Sequence, residues 1–224
     1  MAIRKTAFAV NEWYHCYSRG IDKQVTYKDE HDYKRFLEQL YLGNSTEPFH
    51  RNDIGPSSLE EVLQIPRATP LVGIGALSLM PNHFHLILKE IVEGGISAFM
   101  RKVGTAYAMY FNTRYERIGN IFVKPFRARH IDTDRYFQHS INYVHCNVAE
   151  LYEPRWKTGR VKDLTALQEQ IIAYPYSSLG AYEDTHDHLR ALLDENVFDV
   201  VRRVPVREML QEAKEYYQEN PELP

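Results

Sequence analysis

The sequence predicts an α+β fold in which an antiparallel sheet carries two helices on one face and further helices follow. Three observations lead there. Strand-like stretches with period-two alternation recur four times before residue 132, two stretches with apolar residues at helical spacing separate them, and the middle two strands meet at the short turn Pro81-Asn82.

In "EWYHCYSRG", Trp13, His15 and Tyr17 alternate with Tyr14, Cys16 and Ser18 until Gly20 stops the run, as in a strand. Asp29 then precedes "EHDYKRFLEQLYLG", where Tyr33, Phe36, Leu37, Leu40 and Tyr41 form one helical stripe that Gly43 can end. Residues 44–70 carry Pro48, Gly55, Pro56 and Pro66 with little periodicity beyond a short helix near "SLEEVLQ", and an exposed insertion is expected. "LVGIGALSLM" and "HFHLILKE" make an antiparallel hairpin. After Gly94 and Gly95, "ISAFMRKVGTAYAMYFNTRYER" aligns Ile96, Phe99, Met100, Val103 and Tyr107 along a second long helix. "NIFVKPFRARHI" alternates as a fourth strand, with Pro125 marking a bulge or a sheet edge.

The order strand, helix, strand, strand, helix, strand is the ferredoxin-like arrangement, with both helices on one face and the other face left free. Asp132 or Thr133 can cap a third helix over "DRYFQHSINYVHCNVAELY", which bears several tyrosines. Residues 1–150 are expected to form the main domain and residues 151–224 a helical extension packed on it.

With 44% hydrophobic and 25% charged residues among 224, the chain has the balance of an ordinary globular protein. No apolar run nears the roughly 20 residues that cross a bilayer, and "MAIRKTAFAVNEW" lacks the apolar stretch of a secretory signal. A cytoplasmic protein is expected. Two cysteines, Cys16 and Cys146, are too few for a disulfide framework or a cysteine metal knot. The net charge of −3 is unevenly spread: Arg101, Lys102, Arg114, Arg117, Lys124, Arg127 and Arg129 crowd residues 100–130 against Glu116 alone, while the tail from Glu183 is acidic. Such a patch suits a phosphate backbone, and it equally suits a solvated helix face.

Two sets of residues invite chemistry. On a strand His83 and His85 share one face while Phe84, Leu86 and Leu88 take the other, so the two imidazoles either converge on a cation or are ordinary structural side chains. On the third helix Tyr143 and Asn147 stand one turn apart, in line with Tyr136 and with His139 or Ser140. A phenol nucleophile with an amide ligand is one reading; a buried aromatic stripe is the other.

"MPNHFHLIL", "FMRKVGTAYAMYFNTRYERIGNIFVKPFRARHI", "YFQHSINYVHCNVAE" and "YPYSSLGAY", with "YHCYSRG" and "DEHDYKRFLEQL" before them, resemble the single-tyrosine HUH transposases over roughly Tyr14 to Tyr182. Within these, the REP-associated tyrosine transposases are the subgroup they resemble. The resemblance implies a catalytic domain over 1–150 in which His83, His85 and Asn147 hold Mg²⁺ or Mn²⁺ and Tyr143 is the nucleophile. It implies a single-stranded DNA substrate beside a hairpin such as a REP-like palindrome, cleaved and rejoined through a 5′-phosphotyrosine. The basic residues between 100 and 130 would hold the DNA backbone, the protein would associate with the nucleoid when bound to DNA, and a monomer is expected over a homodimer. The family writes Asn-Pro-Val after its tyrosine, whereas "NVAE" lacks the proline. Tyr136 and Tyr152 have Ser140 and Trp156, not an amide, four residues on. A replication or mobilisation endonuclease of the HUH type, and a hairpin-binding protein without catalysis, are the alternatives.

Overall fold

The structure, a computed structural model, describes residues 7–48, 54–55 and 57–223. Strands β1 (Trp13–Arg19), β2 (Val72–Met80), β3 (His83–Glu90) and β4 (Arg127–Ile131) form one antiparallel sheet in the order β2-β3-β1-β4, which is the ferredoxin-like order. Helices α1 (Glu30–Gly43) and α3 (Gly95–Arg114) cover one face. Asp29 caps α1 by accepting from the Asp32 N–H. Phe84 of β3 points to these helices, its ring 5.3 Å from that of Phe36. Phe99, Val103 and Tyr107 complete the layer from α3, all buried. Alternation therefore sends His83 and His85 to the opposite face. β2 bulges at Gly75, where the register shifts, and a Cβ there would meet the Trp13 ring at 2.9 Å.

That opposite face is not free, contrary to the sequence reading. Helix α4 (Asp134–Cys146), capped by Thr133, packs on β2 and β3, and α8 (Val206–Glu219) packs on α4. The cause is apolar: α8 carries Met209, Leu210, Ala213 and Tyr216 on one buried stripe, and a stripe of that kind is stable only when covered. Short helices α5 (Leu164–Ile172), α6 (Leu179–Glu183) and α7 (Val197–Val200) lie between them in the chain. The segment "YPYSS" lies along the outer edge of β2, where the Leu79 N–H donates to the Tyr176 carbonyl (2.9 Å) and the Ser178 N–H to that of Leu77 (3.0 Å). This protects an edge that would otherwise pair with another chain.

Three further elements differ from expectation. β4 is confined to Arg127–Ile131, on the sheet edge that Pro125 suggested; Phe122 makes only an isolated bridge to Gly20. The third predicted helix stops at Cys146 and tightens into a 3₁₀ turn over Asn147–Leu151, with Asn147 at its C-cap. The stretch 44–70 is not simply exposed. Residues 49–53 and 56 lie outside the described residues, but α2 (Leu59–Val62), opened by a Ser58/Glu61 capping box, buries Leu59 and Val62 beside α1. Asn44 is buried too, its side chain bonding the Leu71 and Val72 N–H groups and the Val72 carbonyl at 2.8 to 3.0 Å. Among the described residues no helix is long and apolar enough to cross a membrane.

Candidate functional site

The residues singled out in the sequence meet in one place. His83 and His85 leave β3 toward α4, which brings Tyr143 and, one turn on, Asn147. The Asn147 side-chain nitrogen lies 3.0 Å from His83 Nε2, and the Tyr143 ring stands edge-on to that of His85 with centroids 5.4 Å apart. His85, Tyr143 and Asn147 have no exposed surface, and His83 keeps 5%.

Hydrogen bonds set the orientation of both imidazoles. Asn82 donates its amide N–H to the Lys23 carbonyl, which turns its Oδ1 toward His83 Nδ1 at 2.7 Å. Nδ1 therefore carries the proton, and the Nε2 lone pair accepts from the Asn147 amide N–H. His85 is ordered by a longer chain. Asn220 donates Nδ2 to the Tyr216 carbonyl (2.7 Å), so its Oδ1 accepts from the Tyr136 hydroxyl (2.9 Å). Tyr136 packs against Tyr216, with ring centroids 5.0 Å apart. The Tyr216 hydroxyl lies 2.9 Å from His15 Nδ1, and His15 Nε2 lies 2.9 Å from His85 Nδ1. In the tautomer that donates Nδ1–H to His15, His85 Nε2 is a bare lone pair, and it has no partner in the fold.

Burial keeps these rings neutral. It lowers His15 and His83 to about 3 and His85 well below the ordinary histidine range, with Arg19 and Lys157 adding to the effect on His83. Burial also pushes the Tyr143 phenol well above 10, against a smaller opposing pull from Arg19.

Four buried polar atoms in this region have no hydrogen-bond partner: His85 Nε2, the Tyr143 hydroxyl, Asn147 Oδ1 and the hydroxyl of Ser78, which pairs across the sheet with His85. Unpaired buried polar atoms are rare, and several together from three elements suit a bound polar species. Two imidazole nitrogens and an amide oxygen could hold a divalent cation, with water or phosphate oxygens completing its shell. The donor set is neutral, and among the described residues no group of three or more His, Cys, Asp or Glu is arranged to hold a metal. A cation held this way would keep its full charge for an anionic ligand.

The basic residues have diverse fates. Arg114 ties α3 to the start of α1 through Asp29 (2.7 Å) and Asp32 (2.9 Å). Lys102 donates to the Ser45 and Glu47 carbonyls, Arg129 pairs with Glu222 at 3.2 Å, and Arg117 lies over the Phe111 ring. Arg101, Lys124 and Arg127 remain exposed. The sequence reading passed over His15 and Tyr17. Their signal was present, since both alternate onto one face of β1, but only the strand order brings that face beside His85, across from which Tyr17 sits in register. Nothing local in "AKEYYQEN" points Tyr216 to the same place.

No family model and no curated protein matches the chain. Among solved structures it is similar to a REP-associated tyrosine transposase bound to a REP hairpin, at 13% identity and a TM-score of 0.54, over 91% of this chain and 99% of that one. The two share a fold.

Proposed function

We propose that the chain is a metal-dependent single-stranded DNA transposase and endonuclease that cleaves and rejoins DNA beside hairpins through a 5′-phosphotyrosine. The observation that carries this reading is the meeting of two imidazoles, an unpaired amide oxygen and an unpaired phenol in one buried site. The shared fold with a hairpin-bound transposase supports the choice of substrate.

In the proposed reaction the Tyr143 oxygen attacks a phosphodiester phosphorus. A phosphorus–phenol bond forms, the bond to the 3′-oxygen breaks, the phenol gives up its proton and the departing 3′-oxygen takes one up. Because the new ester retains the energy of the old one, a second 3′-hydroxyl can reverse the step and join strands. Mg²⁺ or Mn²⁺ would be held by His83 Nε2, His85 Nε2 and Asn147 Oδ1 once the Asn147 amide gives up its bond to His83, and would supply positive charge for the phosphate oxygens and the leaving oxygen. His15 keeps His85 in the required tautomer, and Asn82 does the same for His83. Tyr216 and Tyr217 lie against Tyr143, with ring centroids 5.2 and 6.5 Å away, so α8 has to lift for a strand to reach the phenol. All four residues come from one chain, which supports a monomer as the working unit. Arg101, Lys124 and Arg127 are the members of the basic stretch best exposed to hold DNA backbone.

The enclosure of Tyr143 also favours a second reading, a hairpin-binding protein without catalysis. A hairpin oligonucleotide with a single-stranded flank, labelled at either end and incubated with Mn²⁺, separates the two. Under the proposal the 3′ label migrates with the protein on a denaturing gel and the 5′ label leaves on a shorter fragment. Binding without either product would favour the second reading. His15→Phe removes the acceptor for His85 Nδ1, and Mn²⁺ affinity by calorimetry is expected to fall about 10- to 100-fold. An unchanged affinity would mean that His85 needs no such partner.

A further inference from the structure

Arg19, the last residue of β1, stands directly across from His83 in the antiparallel register, as Tyr17 stands across from His85. Cross-strand partners project from the same face, so Arg19 points to the side of the sheet that bears both histidines. Its Nε is buried and has no hydrogen-bond partner. Among the described residues its guanidinium makes no ion pair. An unpaired, partly buried cation of this kind is costly, and a fold keeps one where an anion is to arrive.

The space for that anion exists. Beside Arg19 lies a cavity of about 240 Å³ lined by Tyr17, Ser18, Arg127, Pro125 and Glu222 among others, far above the roughly 15 Å³ that one water needs. Glu222 is the one carboxylate on its wall, and it is engaged by Arg129 at 3.2 Å. Arg127, paired with Tyr17 across β1 and β4, lines the same space. The charge of Arg19 also reaches inward, lowering the proton affinity of His83, His85 and Tyr143 alike. The cavity is therefore next to the candidate catalytic groups and electrically coupled to them.

We propose that Arg19, with Arg127 beside it, binds a phosphate of the DNA strand next to the scissile one and so positions the phosphodiester for attack by Tyr143. The inference rests on the DNA-processing reading above and adds a residue to it. A guanidinium fork suits the task because two N–H groups can meet two oxygens of one phosphate, fixing orientation as well as place. Arg19 acts as a phosphate-binding and positioning residue.

The test uses the full chain and a hairpin oligonucleotide whose single-stranded phosphates are replaced, one at a time, by neutral methylphosphonates. Binding is read by fluorescence anisotropy at several salt concentrations. For the unaltered protein one position next to the cleaved bond is expected to lose about tenfold or more in affinity. In Arg19→Ala that penalty disappears, and the slope of log K against log salt becomes shallower by about 0.7, the value for one single-strand phosphate contact. Arg19→Lys keeps the slope but loses part of the affinity, because charge remains and the fork does not. Arg19→Gln replaces Arg19→Ala if thermal unfolding shows the alanine variant to be misfolded. The same salt slope and methylphosphonate profile in the neutral variant as in the unaltered protein, with the labelled adduct still forming, would overturn this proposal and leave the function intact. No strand binding and no adduct in the unaltered protein would overturn the function, and this proposal with it.

Discussion

Tyr143→Phe is expected to lower covalent capture of DNA by more than about a thousandfold, to background, while leaving the protein at least as stable as before. The two halves of this expectation have one source. The Tyr143 hydroxyl is buried without a hydrogen-bond partner, so removing it breaks no bond within the fold. A buried unpaired hydroxyl is unfavourable by about 1–3 kcal/mol, and phenylalanine fills the same ring volume without it. Urea unfolding should therefore give an unchanged or slightly higher stability, where most core substitutions lower it. A clear loss of stability would mean that the hydroxyl has a structural partner. Adduct that persists in the variant would move the nucleophile elsewhere, with Tyr136 and Tyr152 the first to examine. Tyr136 is the weaker of these, since its proton is held by Asn220 at 2.9 Å.

The second large effect is on acid stability of the metal-free protein. His15, His83 and His145 have folded-state pKa values of about 3, and His85 lies well below its ordinary value, in each case chiefly through burial. In the unfolded chain all four titrate near 6.5. Between those limits the unfolded state binds protons that the folded state refuses, so stability is complete above pH 6.5 and is lost as pH falls toward 3. Each histidine adds a slope of about 1.4 kcal/mol per pH unit, and four together about 5–6. A typical domain stability of about 5–15 kcal/mol would then be exhausted within roughly one to three pH units below 6.5. His145 offers a control away from the site, since its ring bonds Ser178 at 2.8 Å. His145→Gln should reduce the slope by about one proton. A stability that stays flat between pH 7 and 5 would contradict the burial of these neutral rings.

Much of this was legible in the sequence because it is local. Period-two alternation in "HFHLILKE" separates His83 and His85 from Phe84, Leu86 and Leu88, and helical spacing puts Tyr143 and Asn147 on one face. Resemblance of ordered short blocks then joined the two elements before any coordinates did. What was not legible depends on partners far along the chain. The stripe on α8 is plainly amphipathic, yet nothing in it says that it covers α4, so the second sheet face read as free. His15 read as one member of an aromatic strand; only the β3-β1 adjacency makes it a partner of His85. Charge density was a poorer guide than periodicity. Arg114 counts as a cation in the sequence, whereas in the fold Asp29 and Asp32 hold it. Arg19, outside the basic stretch altogether, has an unanswered buried N–H beside the two histidines, across the sheet from His83.

The most direct measurement is the site of attachment. Trypsin should release Tyr136 to Arg155 as one peptide, which contains Tyr136, Tyr143 and Tyr152, so fragmentation in the mass spectrometer has to assign the nucleotide among them. After incubation with hairpin DNA and Mn²⁺, followed by nuclease trimming, the added nucleotide mass is expected on Tyr143 and is expected to vanish with EDTA. The mass on another residue, or none on a protein that demonstrably binds the hairpin, would contradict the account.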